Sequence, residues 1–276
     1  MTAPRVAILA HVFYERLWPE LETCISNFIA VCGRENVGVY ITYPETKPHI
    51  AEMLADFPAR KYCVPNKGWD VWPFFHALAD VDLDAYDYVL KLHTKDNPTD
   101  GWMNFRTWKK GEHRTALLSI CSTRRAVRRS LKAMARDKTI GMIAARSVID
   151  PSGIAAGDAT LSRSGDLLAS YGIAKKGSTV VYGTMFMIRA ELLKPVKGKV
   201  SIDDFEEAVS IPGKPHAVGL AGTWEMTFAL LAESQGFRVV QGSFPRFMSV
   251  AGYWLKARWF RFLRILSRMA GRLASL

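Results

Sequence analysis

The N-terminal half of the chain alternates short β-type runs with segments of helical periodicity, and this alternation restricts the fold more than any other feature. Runs of β-favouring or buried apolar residues occur at residues 6–10, 37–43, 61–64 and 88–92. Helical patterns lie between them at residues 17–32, 51–57 and 72–79. The order β-α-β-α-β-α-β predicts an α/β fold with a mostly parallel sheet and helices on both faces. In such sheets ligands bind at the carboxyl ends of the strands, where the loops converge.

The second half of the chain has a less regular pattern. We predict helices over residues 115–135 and 223–235, and strands over residues 140–144, 180–188 and 238–241. The segment 150–177 is rich in Gly, Ser and Ala and is expected to form a loop with some helix. No internal repeat or low-complexity linker divides the chain. The sequence therefore predicts one globular domain over residues 1–250, followed by a basic tail over residues 251–276.

The formal net charge of +11 favours an anionic partner such as nucleic acid, anionic lipid or a phosphorylated substrate. One basic cluster lies in a C-terminal segment without acidic residues and comprises Arg246, Lys256, Arg258, Arg261, Arg264, Arg268 and Arg272. A second basic cluster comprises Arg124, Arg125, Arg128, Arg129, Lys132 and Arg136. No recognisable nucleic-acid-binding motif accompanies either cluster, so we expect no nucleic-acid partner.

The cysteines and the apolar segments indicate a cytoplasmic protein. The four cysteines form no CxxC pair and no cluster with histidine at zinc-site spacing, so they are expected to be reduced thiols. The chain contains no uninterrupted run of about 18 apolar residues, so we expect no transmembrane helix. The first apolar stretch is too short for a signal peptide.

The C-terminal tail is predicted to form an amphipathic helix at the inner face of a membrane. Its apolar residues recur at gaps of three and four and comprise Leu255, Trp259, Phe262, Leu266, Met269 and Leu273. Arginines flank this apolar face, and Trp254 suits the membrane interface, where an indole keeps its N–H hydrated. Such a helix lies in the headgroup plane of an anionic membrane. The alternative is that the apolar face docks on the protein's own core or forms a dimer contact.

Five segments taken together resemble a known family. They read AHVFYERLWPEL (10–21), VPNKGWDVWPFF (64–75), YDYVLKLHTKD (86–96), GTMFMIRAELL (183–193) and AGTWEMTFALLAESQGF (221–237). In this combination the chain resembles the rhamnan synthesis protein F family of bacterial polysaccharide glycosyltransferases, over roughly residues 5–240. It is also similar to the broader group of inverting glycosyltransferases with the GT-A fold. The resemblance implies a GT-A-like fold that binds a nucleoside-diphosphate sugar and acts on a glycan or lipid-linked acceptor.

Several residues near the first strands match donor-binding positions of these relatives. Asn66 and Gly68 match an N-x-G loop, although Gly68 alternatively only supplies a positive φ angle. Asp70 follows this loop, and two roles are open for it: binding of the base or ribose, or capping of the helix that begins near Trp72. His11 ends the first strand at the ligand-binding edge, with packing in the loop as its alternative role.

The fourth strand leads into His93-Thr94-Lys95-Asp96, where the resemblance implies an Asp-x-Asp motif. The carboxylates of that motif hold a divalent cation that neutralises the donor diphosphate. Here Lys91, His93 and Lys95 stand at alternate positions, which share one face of an extended strand. We predict that these cations bind the diphosphate without a metal cofactor, while Asp96 leaves a weak divalent-cation site open. The alternative is that the lysines are solvated and His93 is structural.

The resemblance also implies a catalytic acidic residue at Glu225, counted back from the Gly-Phe pair that ends the last segment. Glu225 would act as the general base that takes the proton of the acceptor hydroxyl. Its alternative role is a favourable charge in the first turn of a helix. Gly183 and Thr184 are expected to let substrate approach the backbone, or else to permit tight packing.

The sequence therefore predicts an inverting glycosyltransferase that moves a sugar, with rhamnose as a candidate, from a nucleoside diphosphate to a bacterial surface polysaccharide or lipid-linked glycan. An alternative from another class is a non-catalytic peripheral protein that binds membrane or nucleic acid through its basic faces. A third possibility is a degenerate transferase that binds nucleotide without turnover, since the Asp-x-Asp motif is missing.

Overall fold

A seven-stranded sheet forms the frame of the protein. The computed structural model describes residues 3–95, 120–145, 148–153, 156–205 and 219–242. The predictions for the C-terminal tail, for Asp96 and for residues 115–119 lie outside these described residues. The strands are β1 (Val6–His11), β2 (Val37–Pro44), β3 (Arg60–Val64), β4 (Tyr88–His93), β5 (Ile140–Ala144), β6 (Ile149–Asp150), β7 (Val180–Val181), β8 (Phe186–Arg189) and β9 (Arg238–Gln241).

The strand order of the main sheet is β3-β2-β1-β4-β8-β5-β9, and β6 and β7 form a separate small sheet. β1 pairs parallel with β2 and β4, β2 pairs parallel with β3, and β5 pairs parallel with β9. β8 is antiparallel to both of its neighbours, β4 and β5. All residues of β1 are buried, as expected for a parallel strand covered on both faces. The predicted α/β class with a mostly parallel sheet is therefore confirmed.

Helices cover both faces of the sheet. They are α1 (Trp18–Cys32), α2 (His49–Met53), α3 (Val71–Ala79), α4 (Arg124–Arg136), α5 (Asp158–Ser170) and α6 (Leu220–Ser234). The chain crosses the sheet in one direction from β1 to β2 and in the opposite direction from β3 to β4. Because such crossovers are right-handed, α1 and α3 lie on opposite faces of the sheet. α1 packs against α4, whereas α3 packs on β1 and β2 and against α6, which also contacts α5. None of the helices in the described ranges combines the length and apolarity needed to span a bilayer.

The predicted elements of the N-terminal half occur where the periodicity indicated, with one exception. The helix predicted over residues 51–57 instead begins at His49 and ends at Met53. Pro58 follows that segment, and a proline disfavours helical backbone in the residue before it. The second helix is shorter than predicted and begins earlier.

The single strand predicted over residues 180–188 is wrong, because the chain turns between β7 and β8. Gly183 and Thr184 in this turn have φ angles of 78° and 48°, which no extended strand allows. The apolar sequence between β7 and β8 gave no sign of this turn, because a buried turn can be as apolar as a buried strand. This turn is important because it lies against the candidate site.

The predicted helix over residues 115–135 and the predicted loop over residues 150–177 also differ from the structure. In the described part of the chain, α4 begins at Arg124, because Thr123 has extended backbone and caps the helix. The Thr123 hydroxyl accepts a hydrogen bond from the Ala126 amide at 3.1 Å, a typical N-cap contact. Within the predicted loop, α5 is a full helix of 13 residues that buries Leu168.

Candidate active site

The carboxyl ends of β1, β2 and β4 bring polar side chains side by side. His11 lies opposite His93 across the β1–β4 pair and opposite Thr42 across the β1–β2 pair. His11 Nδ1 lies 3.0 Å from Thr42 Oγ1, and both histidines are buried. Lys91 and His93 project from the same face of β4, because alternate residues of a strand share a face. The strands therefore bring His11 next to two of the three predicted cationic residues.

Lys91 is enclosed, with 1% of its side chain exposed, and its ammonium pairs with the Asp70 carboxylate. Lys91 Nζ donates hydrogen bonds to Asp70 Oδ2 and, at 3.0 Å, to Thr184 Oγ1. The Thr184 hydroxyl donates to the same Asp70 oxygen, and His93 Nδ1 lies 3.4 Å from that oxygen. These four residues, which we call the Asp70 cluster, come from β4, from the loop before α3 and from the turn between β7 and β8.

The Asp70 cluster corrects two alternatives that the sequence left open. Asp70 stands at the N-cap position of α3, but its side chain accepts no capping hydrogen bond from the first turn. The capping role is therefore wrong. The alternative of a solvated Lys91 is also wrong, since burial and pairing with Asp70 replace contact with water. The predicted cationic face thus contains the carboxylate of Asp70, and no sequence pattern indicated that Asp70 pairs with Lys91.

The ionisation of Asp70 is set by its neighbours. Burial alone would raise the pKa of Asp70, but the charges of His93 and Lys91, together with hydrogen bonds from Lys91 and Thr184, hold that pKa well below its usual range. Burial lowers the pKa of Lys91, and the charge and hydrogen bond of Asp70 oppose this shift. Each charge therefore offsets the desolvation of the other.

One residue of the Asp70 cluster and one residue next to it have strained backbone. Trp69 and Thr184, with φ angles of 53° and 48°, are the non-glycine residues of positive φ in the described chain. Trp69 precedes Asp70, and Thr184 contacts it. Gly68 has a φ of 59°, which confirms its predicted positive φ, and a Cβ there would lie 2.5 Å from a ring carbon of Phe205. Such strain persists only where the surroundings enforce it, and it is concentrated at functional sites.

Glu225 faces the turn between β7 and β8. Its Oε1 accepts a hydrogen bond from the Gly183 amide at 2.5 Å. Burial raises the pKa of Glu225, the Gly183 hydrogen bond opposes this shift, and the charge of Asp70 adds to it. α6 begins at Leu220, so Glu225 lies in its second turn, and the predicted position in the first turn is wrong. The helix-dipole role is weaker there, because the effect falls off within the first turn.

Aromatic packing fixes α3 and α6 relative to each other, and thereby Asp70 and Glu225. The ring centroids of Phe75 and Trp224 lie 4.6 Å apart, and those of Phe74 and Phe228 lie 5.5 Å apart. Lys91 Nζ lies 5.5 Å from the Phe74 ring centroid, within cation–π range. This contact was not predicted from the sequence, although the Trp-Pro-Phe-Phe segment indicates an aromatic face.

In the segment that replaces the Asp-x-Asp motif, Thr94 has a structural contact and Lys95 is an exposed charge. The Thr94 hydroxyl accepts hydrogen bonds from the Phe13 and Tyr14 amides at 2.8 and 2.9 Å, which joins the loop after β1 to the end of β4. Lys95 is exposed beyond the end of β4. Its charge acts to lower the pKa of Lys91 and the pKa of Glu225. Asn66 lies half-buried in the loop after β3.

The described residues form no cluster of metal ligands on their own. Across these ranges, no group of three His, Cys, Asp or Glu side chains is arranged to hold a metal ion. Asp70, the carboxylate at the centre of the cluster, is already neutralised by Lys91. All four cysteines are free thiols, as predicted, and only Cys63 among them is exposed.

A family model matches most of the chain. The model of the family described as rhamnan synthesis protein F matches residues 1–208, which includes Asp70, Lys91 and Thr184 but not Glu225. No curated protein matches the chain.

Two solved structures are similar to the chain at low sequence identity. One is a mannosyltransferase, PcManGT from Pyrobaculum calidifontis in complex with GDP-Man and Mn2+, with 15% identity, a TM-score of 0.42 and coverage of 87% of this chain. The chain spans about half of that protein, 55% of its length. The other is 4-diphosphocytidyl-2C-methyl-D-erythritol synthase from Anaerococcus prevotii, with 9% identity, a TM-score of 0.40 and coverage of 94% of this chain and 99% of that chain.

Protonation of His11 should destabilise the fold in mild acid. Burial lowers the pKa of His11 from 6.5 to about 4. Between these values the unfolded state binds the extra proton, so stability is complete above the unfolded pKa and falls as pH decreases toward the folded pKa. The shift corresponds to about 3 kcal/mol. Urea unfolding at pH 7 and at pH about 4 should show that wild type loses about 3 kcal/mol more than His11→Asn. Equal losses would contradict this prediction.

Asp70 and Lys91 should stabilise the fold only as a pair. Asp70→Asn leaves the Lys91 ammonium buried without a counter-charge, which should cost about 3 kcal/mol or more in urea unfolding. Adding Lys91→Met should restore most of this loss, because an apolar side chain of similar length needs no partner. A double variant as unstable as the sum of the two single variants would show that the residues are not coupled.

Proposed function

Because the chain belongs to the rhamnan synthesis protein F family of polysaccharide glycosyltransferases, we propose that it moves a sugar from a nucleoside diphosphate to a glycan with inversion at the anomeric carbon. The observation that carries this proposal is the convergence of Glu225 and the Asp70 cluster at one edge of the sheet. That edge, at the carboxyl ends of β1 and β4, is where open α/β sheets bind ligands. The family description, rhamnan synthesis protein F, supports rhamnose as the donor sugar. A surface polysaccharide or lipid-linked glycan is the proposed acceptor.

The donor diphosphate is proposed to bind at the end of β4 without a metal cofactor. Lys95 is exposed there and makes the direct contact, while the enclosed Lys91 holds Asp70 and contributes its charge from behind. Two unit charges about 4 Å apart attract by about 4 kcal/mol at an effective dielectric constant of about 20. If this attraction develops only in the transition state, it accelerates the reaction about a thousandfold. His93 adds to the same positive potential when protonated.

The remaining predicted residues are proposed to shape the donor pocket. Asn66 and Gly68 form the loop after β3, and the strained backbone of the loop directs Asp70 toward the cluster. Asp70, with 18% of its side chain exposed, and Thr184 are proposed to contact the ribose or sugar. His11, buried against Thr42, supports this pocket from β1.

Glu225 is proposed to be the general base. As the acceptor oxygen bonds to the anomeric carbon, the bond from that carbon to the diphosphate breaks and the acceptor proton moves to Glu225. Burial raises the pKa of Glu225, which makes its carboxylate a stronger base. The Gly183 amide holds Oε1, so we assign the incoming proton to Oε2.

Donor binding and turnover, measured without metal, test this function. Thermal stabilisation by nucleoside diphosphates should occur, which a membrane- or nucleic-acid-binding protein without a nucleotide site would not show. Hydrolysis or transfer of the matching nucleotide sugar should then continue in excess EDTA, which separates an active enzyme from a degenerate one. Complete loss of turnover in EDTA, restored by Mg²⁺ or Mn²⁺, would contradict metal independence.

Glu225→Gln should retain donor affinity but lower turnover at least about a hundredfold, the usual scale for a lost general base. The matched control is Glu233→Gln, the same substitution on the same helix, where the carboxylate accepts hydrogen bonds from Thr179. This control should keep wild-type turnover when measured at a temperature where it is folded. Normal turnover of Glu225→Gln would exclude Glu225 as the base.

The tail over residues 251–276 is proposed to hold the enzyme at the inner face of the membrane, next to a lipid-linked acceptor. Its alternating apolar and basic residues support this proposal. Replacement of its arginines by glutamine should reduce co-sedimentation with anionic vesicles. Unchanged co-sedimentation would assign the tail to a contact within the protein or between copies.

A further inference from the structure

The outer face of α4 is a continuous basic surface. Six side chains, all exposed, form what we call the α4 basic face: Arg124, Arg125, Arg128, Arg129, Lys132 and Arg136. Arg124, Arg128, Lys132 and Arg136 are each four sequence positions apart and therefore line up along the helix. The helix is about 20 Å long. The opposite side of α4 is buried and apolar, centred on Val127, Leu131 and Met134. No acidic residue interrupts the helix.

The α4 basic face opposes the stability of its own helix. Like charges four residues apart repel each other, and Arg124 and Arg125 stand in the first turn, where the helix dipole disfavours cations. Among the described residues, none of the six side chains forms a salt bridge, whereas nearby Arg238 pairs with Asp137 at 2.6 Å. A partner outside the described chain would compensate this repulsion.

We propose that the α4 basic face binds the anionic headgroups of a lipid bilayer. A single exposed helix face with its cations in two adjacent rows is suited to a flat, laterally mobile layer of negative charge. α4 carries no aromatic side chain. Proteins that bind single-stranded nucleic acid use such side chains to stack on the bases. Since α4 and the Asp70 cluster lie on opposite faces of the sheet, lipid binding leaves the donor site accessible.

The choice of a bilayer rests on the proposed function, because a lipid-linked acceptor requires the enzyme to work at a membrane. The attachment itself does not depend on the catalytic residues or on the tail. α4 is followed directly by β5, a strand of the central sheet, so a bilayer bound to α4 holds the whole domain and not only the C-terminal segment. The α4 basic face would therefore fix the orientation of the domain on the membrane.

A charge-matched pair of variants of the full chain tests the proposal. The first variant replaces four residues of the α4 basic face by glutamine: Arg124, Arg125, Arg128 and Arg129. The control removes four exposed charges outside α4: Arg163, Lys175, Lys176 and Lys199. Both are compared with wild type for co-sedimentation with phosphatidylglycerol–phosphatidylcholine vesicles and with phosphatidylcholine vesicles, at about 0.1 M salt and at higher salt.

The α4 variant should partition into the mixed vesicles at least about tenfold less than wild type, because each cation at an anionic leaflet raises the partition coefficient about fivefold before screening. The control should stay within about twofold of wild type. High salt, or vesicles without phosphatidylglycerol, should abolish the difference. Circular dichroism and thermal unfolding verify that both variants are folded.

The proposal would be overturned if the α4 variant bound vesicles as wild type does, or if both variants lost vesicle binding equally. It would also be overturned if the α4 variant kept vesicle binding and lost only the binding of a short RNA or DNA duplex. Donor turnover measured without vesicles should be the same in the α4 variant and wild type. Absence of turnover in wild type would contradict the proposed function, while the vesicle measurement would still decide the role of α4.

Discussion

The enclosed ammonium of Lys91 is the constraint on which the arrangement of the candidate site depends. An unpaired ion at this depth would cost several kcal/mol, so a counter-charge and hydrogen bonds must come to it. Asp70 supplies the charge, Thr184 shares the hydrogen bonds, and the rings of Phe74 and Phe228 lie 5.5 and 6.0 Å from Nζ. These contacts fix the start of α3 and the turn after β7, and that turn presents the amide that holds Glu225.

The same network joins the two halves of the chain. Asp70 and Lys91 come from the β-α-β part, whereas Thr184 and Glu225 come from the part that follows β5. A donor bound at the end of β4 and an acceptor bound near Glu225 would therefore be held by elements far apart in sequence. The strain at Trp69 and Thr184 is tolerated because packing on both sides leaves these residues no alternative.

The residues of this site can be recognised in the sequence, but the contacts that connect them cannot. The strands at residues 6–10 and 88–92 were recognised because a parallel strand buried on both faces is a short continuous apolar run. The turn at Gly183 was missed because its neighbours are as apolar as a strand. The pairing of Asp70 with Lys91 was missed for a different reason. It is a tertiary contact with no periodicity, and local rules offered only capping or ligand binding as roles for Asp70. The membrane role of the tail stays a prediction, since the tail lies outside the described residues.

The antiparallel strand β8, inserted between β4 and β5, determines the order in which the protein can be completed during synthesis. β4 ends at His93, and β8 begins at Phe186, roughly ninety residues later in the chain. At about 5–20 residues per second, a ribosome needs about 5–20 s to supply this segment. During that interval the nascent chain presents β4 as an open, apolar sheet edge that carries an ammonium without its Thr184 partner. Chaperone protection of the nascent chain would therefore matter most before Phe186 emerges.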